Sequence, residues 1–124
     1  MLTLGLPVRC ISKQRPRAYI RAGKVAHYMN ADYMKWKSDV AARLREMYAG
    51  PPFEGPLSLS IIAYYRLAPK GDVDNLAGAL MDAANGILWH DDGQILRLCV
   101  ERLNNTGRDG ISLLIKEYKY EVKE

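Results

Sequence analysis

Residues 57–86, LSLSIIAYYRLAPKGDVDNLAGALMDAANG, change hydrophobic period once, and that change decides the fold. In the first half Leu57, Leu59, Ile61, Ala63 and Tyr65 fall on alternate positions, the signature of a half-buried strand that ends near Pro69. In the second half Val73, Leu76, Ala77, Leu80 and Ala84 form an apolar stripe at helical spacing, which predicts a helix over about 73–85. Gly86 supplies the left-handed residue that commonly closes such a helix.

Upstream, Tyr33, Trp36, Val40, Leu44 and Met47 step by three and four, which predicts a first helix from Asn30 to Tyr48 with Asn30 as its cap and GPPFEGP, 50–56, as its stop. LTLGLPVRCI, 2–11, reads as an opening strand made irregular by Gly5 and Pro7. Residues 12–29 have no clean period and read as a long loop with a short hairpin around Ala22–Gly23. Downstream, QILRLCVERL, 94–103, is a strand, NNTGRDG, 104–110, a hairpin loop, and ISLLIKEYKYEV, 111–122, the last strand. The order β-α-β-α-β-β predicts an α+β domain: one mixed sheet with both helices packed on it, in a chain whose 124 residues suit a single domain.

Apolar residues make up 48% and charged residues 26%, the usage of a globular chain and not of a disordered one. No signal-peptide pattern follows Met1, and the uncharged stretch Gly55–Tyr65 is too short to span a bilayer, so a soluble, cytoplasmic protein with no membrane partner is expected. Cys10 and Cys99 belong to no CxxC or Cys/His cluster, which argues against zinc or a disulfide framework and assigns both to the core.

Charge is distributed unevenly. Residues 1–31 contain Arg9, Lys13, Arg15, Arg17, Arg21 and Lys24 and no acid, whereas the remainder carries 12 bases and 14 acids. Asp72, Asp74, Asp82, Asp91 and Asp92 gather within 70–94. Each has an ordinary structural explanation: Asp72 or Asp74 caps the second helix, and Asp91 and Asp92 belong to a turn. As a set they invite another. Asp74, Gly78, Asp82 and Asn85 lie on the polar face of that helix, and a chain reversal after Asn85 is expected to carry Asp91 and Asp92 back toward Asp72 and Asp74. Carboxylates so close oppose one another's ionisation unless a cation enters, and such hard oxygen ligands suit Mg²⁺ or Mn²⁺.

Other chemistries lack their residues. In a calcium-loop alignment begun at Asp72, the fifth, sixth and twelfth positions are Leu76, Ala77 and Ala83, which excludes an EF-hand. There is no phosphate-cradling glycine motif, and with only His27 and His90 a histidine metal site or a Ser/His/Asp triad is not indicated. The basic segment, about 9–29, is either a solvated loop beside a core helix or a phosphate-contacting arm. In the second case Lys13, Arg15, Arg17, Arg21 and Lys24, with Lys70, hold a nucleic-acid backbone that the acids alone would repel.

GDVDNLAGALMDAANGILWHDDGQI, 71–95, resembles the RusA-type Holliday junction resolvases, small Mg²⁺-dependent endodeoxyribonucleases. The matching elements are Asp72-Val73-Asp74-Asn75, Asp82-Ala83 and Trp89-His90-Asp91-Asp92-Gly93-Gln94, with KQRPR, 13–17, similar to the family's basic loop. The resemblance implies that Asp72, Asp74 and Asp92 bind the metal, that Asp91 adjoins them, and that Asp82 supports the site. It implies a homodimer that resolves a four-way junction by two symmetric nicks, with Mg²⁺ as cofactor and Mn²⁺ as a substitute. It also exposes a departure: many members carry lysine where this chain has Gly78, and Lys70, Lys13 or Arg15 must then supply the charge. The expectation is an endonuclease of branched DNA in recombination and repair. The alternatives are a catalytically impaired DNA-binding or assembly protein on the same fold, or a nuclease for flaps or forks.

Overall fold

The structure is a computed structural model that describes residues 1–13, 17–21, 23–28, 31–68 and 73–119, and for 17–21 and 24–28 the backbone alone. Its elements in chain order are β1 (Leu2–Leu6), β2 (Arg17–Arg21), β3 (Lys24–Tyr28), α1 (Ala31–Met47), β4 (Leu57–Tyr64), α2 (Val73–Ala84), β5 (Ile95–Leu103) and β6 (Gly110–Glu117), with a short 3-10 turn at Asp92–Gln94 before β5. The main sheet runs β1-β6-β4-β5. Strand β5 is parallel to β4, while β6 is antiparallel to both β4 and β1, so the sheet is mixed and the α+β expectation holds.

Burial explains why β4 organises the sheet. Leu57, Leu59, Ile61, Ala63 and Tyr65 are all 2% exposed or less, and with each such aliphatic side chain worth about 1.5–3 kcal/mol this one face anchors the core. Val40 and Leu44 of α1 and Leu76, Ala77, Leu80 and Ala84 of α2 join the same apolar cluster. Two expected core positions lie outside it: Val73 is 43% exposed and Met47 44% exposed, because each stands in a terminal turn that overhangs the sheet.

The basic segment is more regular than expected. Strands β2 and β3 pair antiparallel as a separate ribbon, turning at Gly23, whose φ of 76° suits the absence of a Cβ. The loop 104–109 departs from expectation in the other direction, since β5 and β6 do not pair and no hairpin forms. Its residues instead cross the end of β4: the Tyr65 carbonyl accepts from the Thr106 amide at 2.9 Å, and the Arg66 amide donates to Asp109 Oδ1 at 2.9 Å. Strand β6 therefore enters on the far side of β4, where both its faces find cover.

That crossing leaves β5 at the sheet edge, with Leu96, Leu98 and Cys99 exposed. The assignment of Cys99 to the core is thus corrected, the reason being that an edge strand buries little. Cys10 is buried as expected, and desolvation pushes its thiol pKa up to about 12. No helix among the described residues is long and apolar enough to cross a membrane.

Candidate active site

The site is built around α2, which leads from the C-terminal end of β4 to the N-terminal end of β5. Asp74 stands exposed in its first turn, where the unpaired amides and the helix dipole favour a carboxylate. The root of the basic segment is tied to the same end: the Lys13 amide donates to the Asn75 carbonyl at 2.8 Å, and the Trp36 indole donates to the Arg9 carbonyl at 2.7 Å. Tyr65 donates to the Cys10 carbonyl at 2.7 Å and anchors the same stretch from the sheet side.

Lys13 then runs along the polar face of α2. Its stem crosses Gly78 so closely that a Cβ there would lie 3.2 Å from the Lys13 Cδ. Its ammonium reaches Asp82, 3.2 Å from each carboxylate oxygen. Asp82 Oδ2 also accepts from the Tyr33 hydroxyl of α1 at 2.8 Å. Tyr33 is 1% exposed, and its pKa is raised by burial first and by the neighbouring Asp82 charge second, so it remains a donor at any ordinary pH. Asp82 is therefore committed to holding Lys13, in line with the supporting role expected of it.

The other acids belong to the far end of α2. Gly86, at φ 81°, turns the chain, its amide donating to the Trp89 carbonyl at 2.8 Å, and Leu88 and Trp89 enter the core completely buried. The Trp89 indole donates to Asp92 Oδ1 at 2.7 Å, which satisfies a donor in a buried side chain. Asp91 caps the following turn by accepting from the Gly93 amide at 3.0 Å. Gln94 clamps this corner: its Oε1 accepts from the amides of His90 and Asp91, and its Nε2 donates to the carbonyls of Phe53 and Gly55. His90 lies 3.9 Å from Glu54, with both side chains largely in solvent.

The reversal after α2 thus stays at its C-terminal end and does not return Asp91 and Asp92 to the start of the helix, which corrects the expected convergence. Ten residues of helix, roughly 15 Å at 1.5 Å per residue, separate Asp74 from Ala84. Among the described residues, no three His, Cys, Asp or Glu side chains stand together as a metal cluster. The donors themselves are the hard oxygens that magnesium prefers, and a carboxylate such as Asp92 that accepts one hydrogen bond retains capacity for a cation. What a single chain lacks is their proximity.

Asp72, Lys70 and Arg15 fall outside the described residues. Arg17, Arg21 and Lys24 belong to the β2–β3 ribbon, where the register opposes Arg17 to Tyr28 and Arg21 to Lys24, so these positions share one face. Sequence reasoning did not single out Arg9 and Arg66, which line a cleft of about 320 Å³ with Tyr65 and Asp109 at the C-terminal end of β4. Arg9 lies 5.8 Å from the Tyr65 ring centroid, in cation–π range. Its place in the acid-free first quarter of the chain was the available signal. Nothing local marked Arg66, nor the pairing of Tyr33 with Asp82 across 49 positions.

A family model described as Endodeoxyribonuclease RusA matches residues 7–116. No curated protein matches the sequence.

Proposed function

The chain belongs to the RusA endodeoxyribonuclease family, and from that premise we propose that it is a magnesium-dependent endonuclease that cuts branched DNA, with the four-way Holliday junction as its substrate, in recombination and repair. The observation that carries this reading is the joining of arm and acids on one helix: Lys13, at the root of the basic segment, is bonded to α2 at Asn75 and at Asp82, one on either side of Gly78. DNA held by residues 9–29 is thereby brought against the polar face that begins with Asp74.

Each part of the chain has a role in this reading. Arg17, Arg21 and Lys24 on the ribbon, with Arg15 and Lys70, neutralise backbone phosphates and set the strand's position without reading its sequence. Lys13, fixed by Asp82 and Tyr33, provides the ammonium that position 78 supplies in many members. Asp72 and Asp74, together with Asp92 and its neighbour Asp91, would hold Mg²⁺ or Mn²⁺, which when bound supplies water activation and charge stabilisation for phosphodiester hydrolysis. Because Asp74 and Asp92 stand at opposite ends of α2, a set that joins them takes Asp92 of the partner subunit, so the homodimer is part of the site.

The test is nicking of a synthetic four-way junction. Asp72→Asn is expected to abolish cutting in Mg²⁺ while junction binding in Ca²⁺ is unchanged; full cutting by this variant would remove the assignment. A second reading has its own support. Asp82, Asp91 and Asp92 all have structural partners, as expected for an assembly or DNA-binding protein whose aspartates are caps and turns. Thermal unfolding against Mn²⁺ separates the two: the nuclease gains stability with metal by mass action, and the binding protein does not.

A further inference from the structure

Strand β5 is nine residues long, lies at the edge of the main sheet, and among the described residues pairs with β4 alone. Leu96 is 55% exposed and Leu98 44%, and Cys99 is exposed between them and Glu101. A long, apolar edge of this kind is a template for another strand, and soluble proteins normally blunt or cover it.

We infer that β5 pairs antiparallel with β5 of a second copy of this chain, about a two-fold axis through Cys99. The inference rests on the homodimer in the functional reading and identifies the surface that makes it. Opposed residues in an antiparallel pair point to the same face, so a two-fold axis perpendicular to a continuous sheet must pass through a residue, and only a few registers are available. Centring on Cys99 uses the whole of β5, since Cys99 is the midpoint of Ile95–Leu103. It opposes Arg97 to Glu101 twice over, Leu98 to Val100 and Ile95 to Leu103. Moving the axis to Leu98 opposes Ile95 to Glu101 and Arg97 to Cys99, and moving it to Val100 opposes Arg97 to Leu103 and Cys99 to Glu101. Both shifts break the charge match, so one register is favoured over its neighbours.

The faces agree with this arrangement. The β4–β5 register aligns Ser58, Ser60 and Ile62 with Arg97, Cys99 and Glu101, opposite the face where Leu59 and Ile61 meet the helices. The ion pairs and the two Cys99 side chains then lie on the helix-free face, and Leu98 meets Val100 on the helix side.

The same geometry supplies what a single chain lacks. With β5 antiparallel to its copy, Ile95 of the partner subunit lies beside Leu103, which is itself beside Tyr64. The turn carrying Asp91 and Asp92 of the partner subunit therefore arrives at the C-terminal end of β4, the end from which the chain proceeds to Asp74, about two strand spacings or 10 Å across the sheet.

Disulfide capture in the full-length protein tests the register, because opposed Cα atoms in an antiparallel pair fall within disulfide range. Under diamide, two Cys99 thiols lose two protons and two electrons to the azo group, which becomes the hydrazine, and one S–S bond forms. A linked dimer is expected, lost in Cys99→Ser; Cys10, buried, does not substitute for it. By sedimentation, Arg97→Glu should weaken dimerisation by about tenfold or more, and Arg97→Glu with Glu101→Arg should restore it. A native dimer that neither links through Cys99 nor responds to the charge reversal overturns the interface but leaves the homodimer standing. A monomer at all concentrations overturns both. Loss of junction cutting in a correctly linked dimer would count against the nuclease reading and not against this surface.

Discussion

Asp92 illustrates how one carboxylate can carry two jobs that a substitution series separates. Its Oδ1 accepts from the fully buried Trp89 indole, so removing the oxygen leaves a buried donor unpaired at a cost of about 1–3 kcal/mol, whereas an amide oxygen keeps the bond. Asp92→Ala is therefore expected to lower unfolding stability by that amount, and Asp92→Asn to stay near wild type in stability yet lose junction cutting. Equal stability of the two variants in a denaturant titration would remove the structural half of the account. Gly78 shows the converse case, a residue whose value lies in what it lacks. A side chain there would push against the Lys13 stem, so glycine at 78 and lysine at 13 are best read together, as one cation delivered to α2 from a different part of the chain. Spacing along the sequence marked position 78 as anomalous. It gave no way to choose among Lys13, Lys70 and Arg15, because that choice depends on a contact across 69 positions.

The elements were legible wherever a single period ran unbroken. The alternation of β4 and the helical stripe of α2 were readable because burial of one face dictates the residue type at every second or every third to fourth position. The partner of β5 was not readable, because 104–110 carries hairpin-like turn residues and only its bonds to Tyr65 and Leu67 reveal that it crosses the end of β4. The same limit hid the course of residues 85–92: the reversal was predictable from Gly86, its direction was not. Packing among the elements also fixes a pH response. Burial raises the pKa values of Cys10, Tyr33 and Tyr65 above their unfolded values, about 8.5 for the thiol and 10 for the phenols. Above those values the unfolded chain gives up protons that the folded chain keeps, so the stability they contribute is complete below about pH 8 and is lost as pH rises toward the folded values. The denaturant midpoint should fall between pH 8 and 11, and fall less steeply in Tyr33→Phe; a flat profile would contradict the burial argument.

For the molecule as a whole, the separation of Asp74 from Asp92 by the length of α2 changes the meaning of the acidic motif. Residues 70–94 look like one site in the sequence because they are contiguous, but a rigid helix holds the two ends of the motif apart. A dimer in which each subunit contributes one end makes two identical sites related by a two-fold axis, the symmetry that paired nicks across a four-way junction require. The basic ribbon and the Arg9–Arg66 cleft then occur twice, giving a doubled cationic surface around the paired sites. Subunit mixing tests this most directly. Asp74→Asn and Asp92→Asn should each be inactive on a four-way junction. After exchange, half of the dimers are mixed and each mixed dimer holds one intact site, so the mixture should recover roughly a quarter of wild-type nicking. A mixture that stays as inactive as its components, with heterodimers verified by native mass spectrometry, would contradict it.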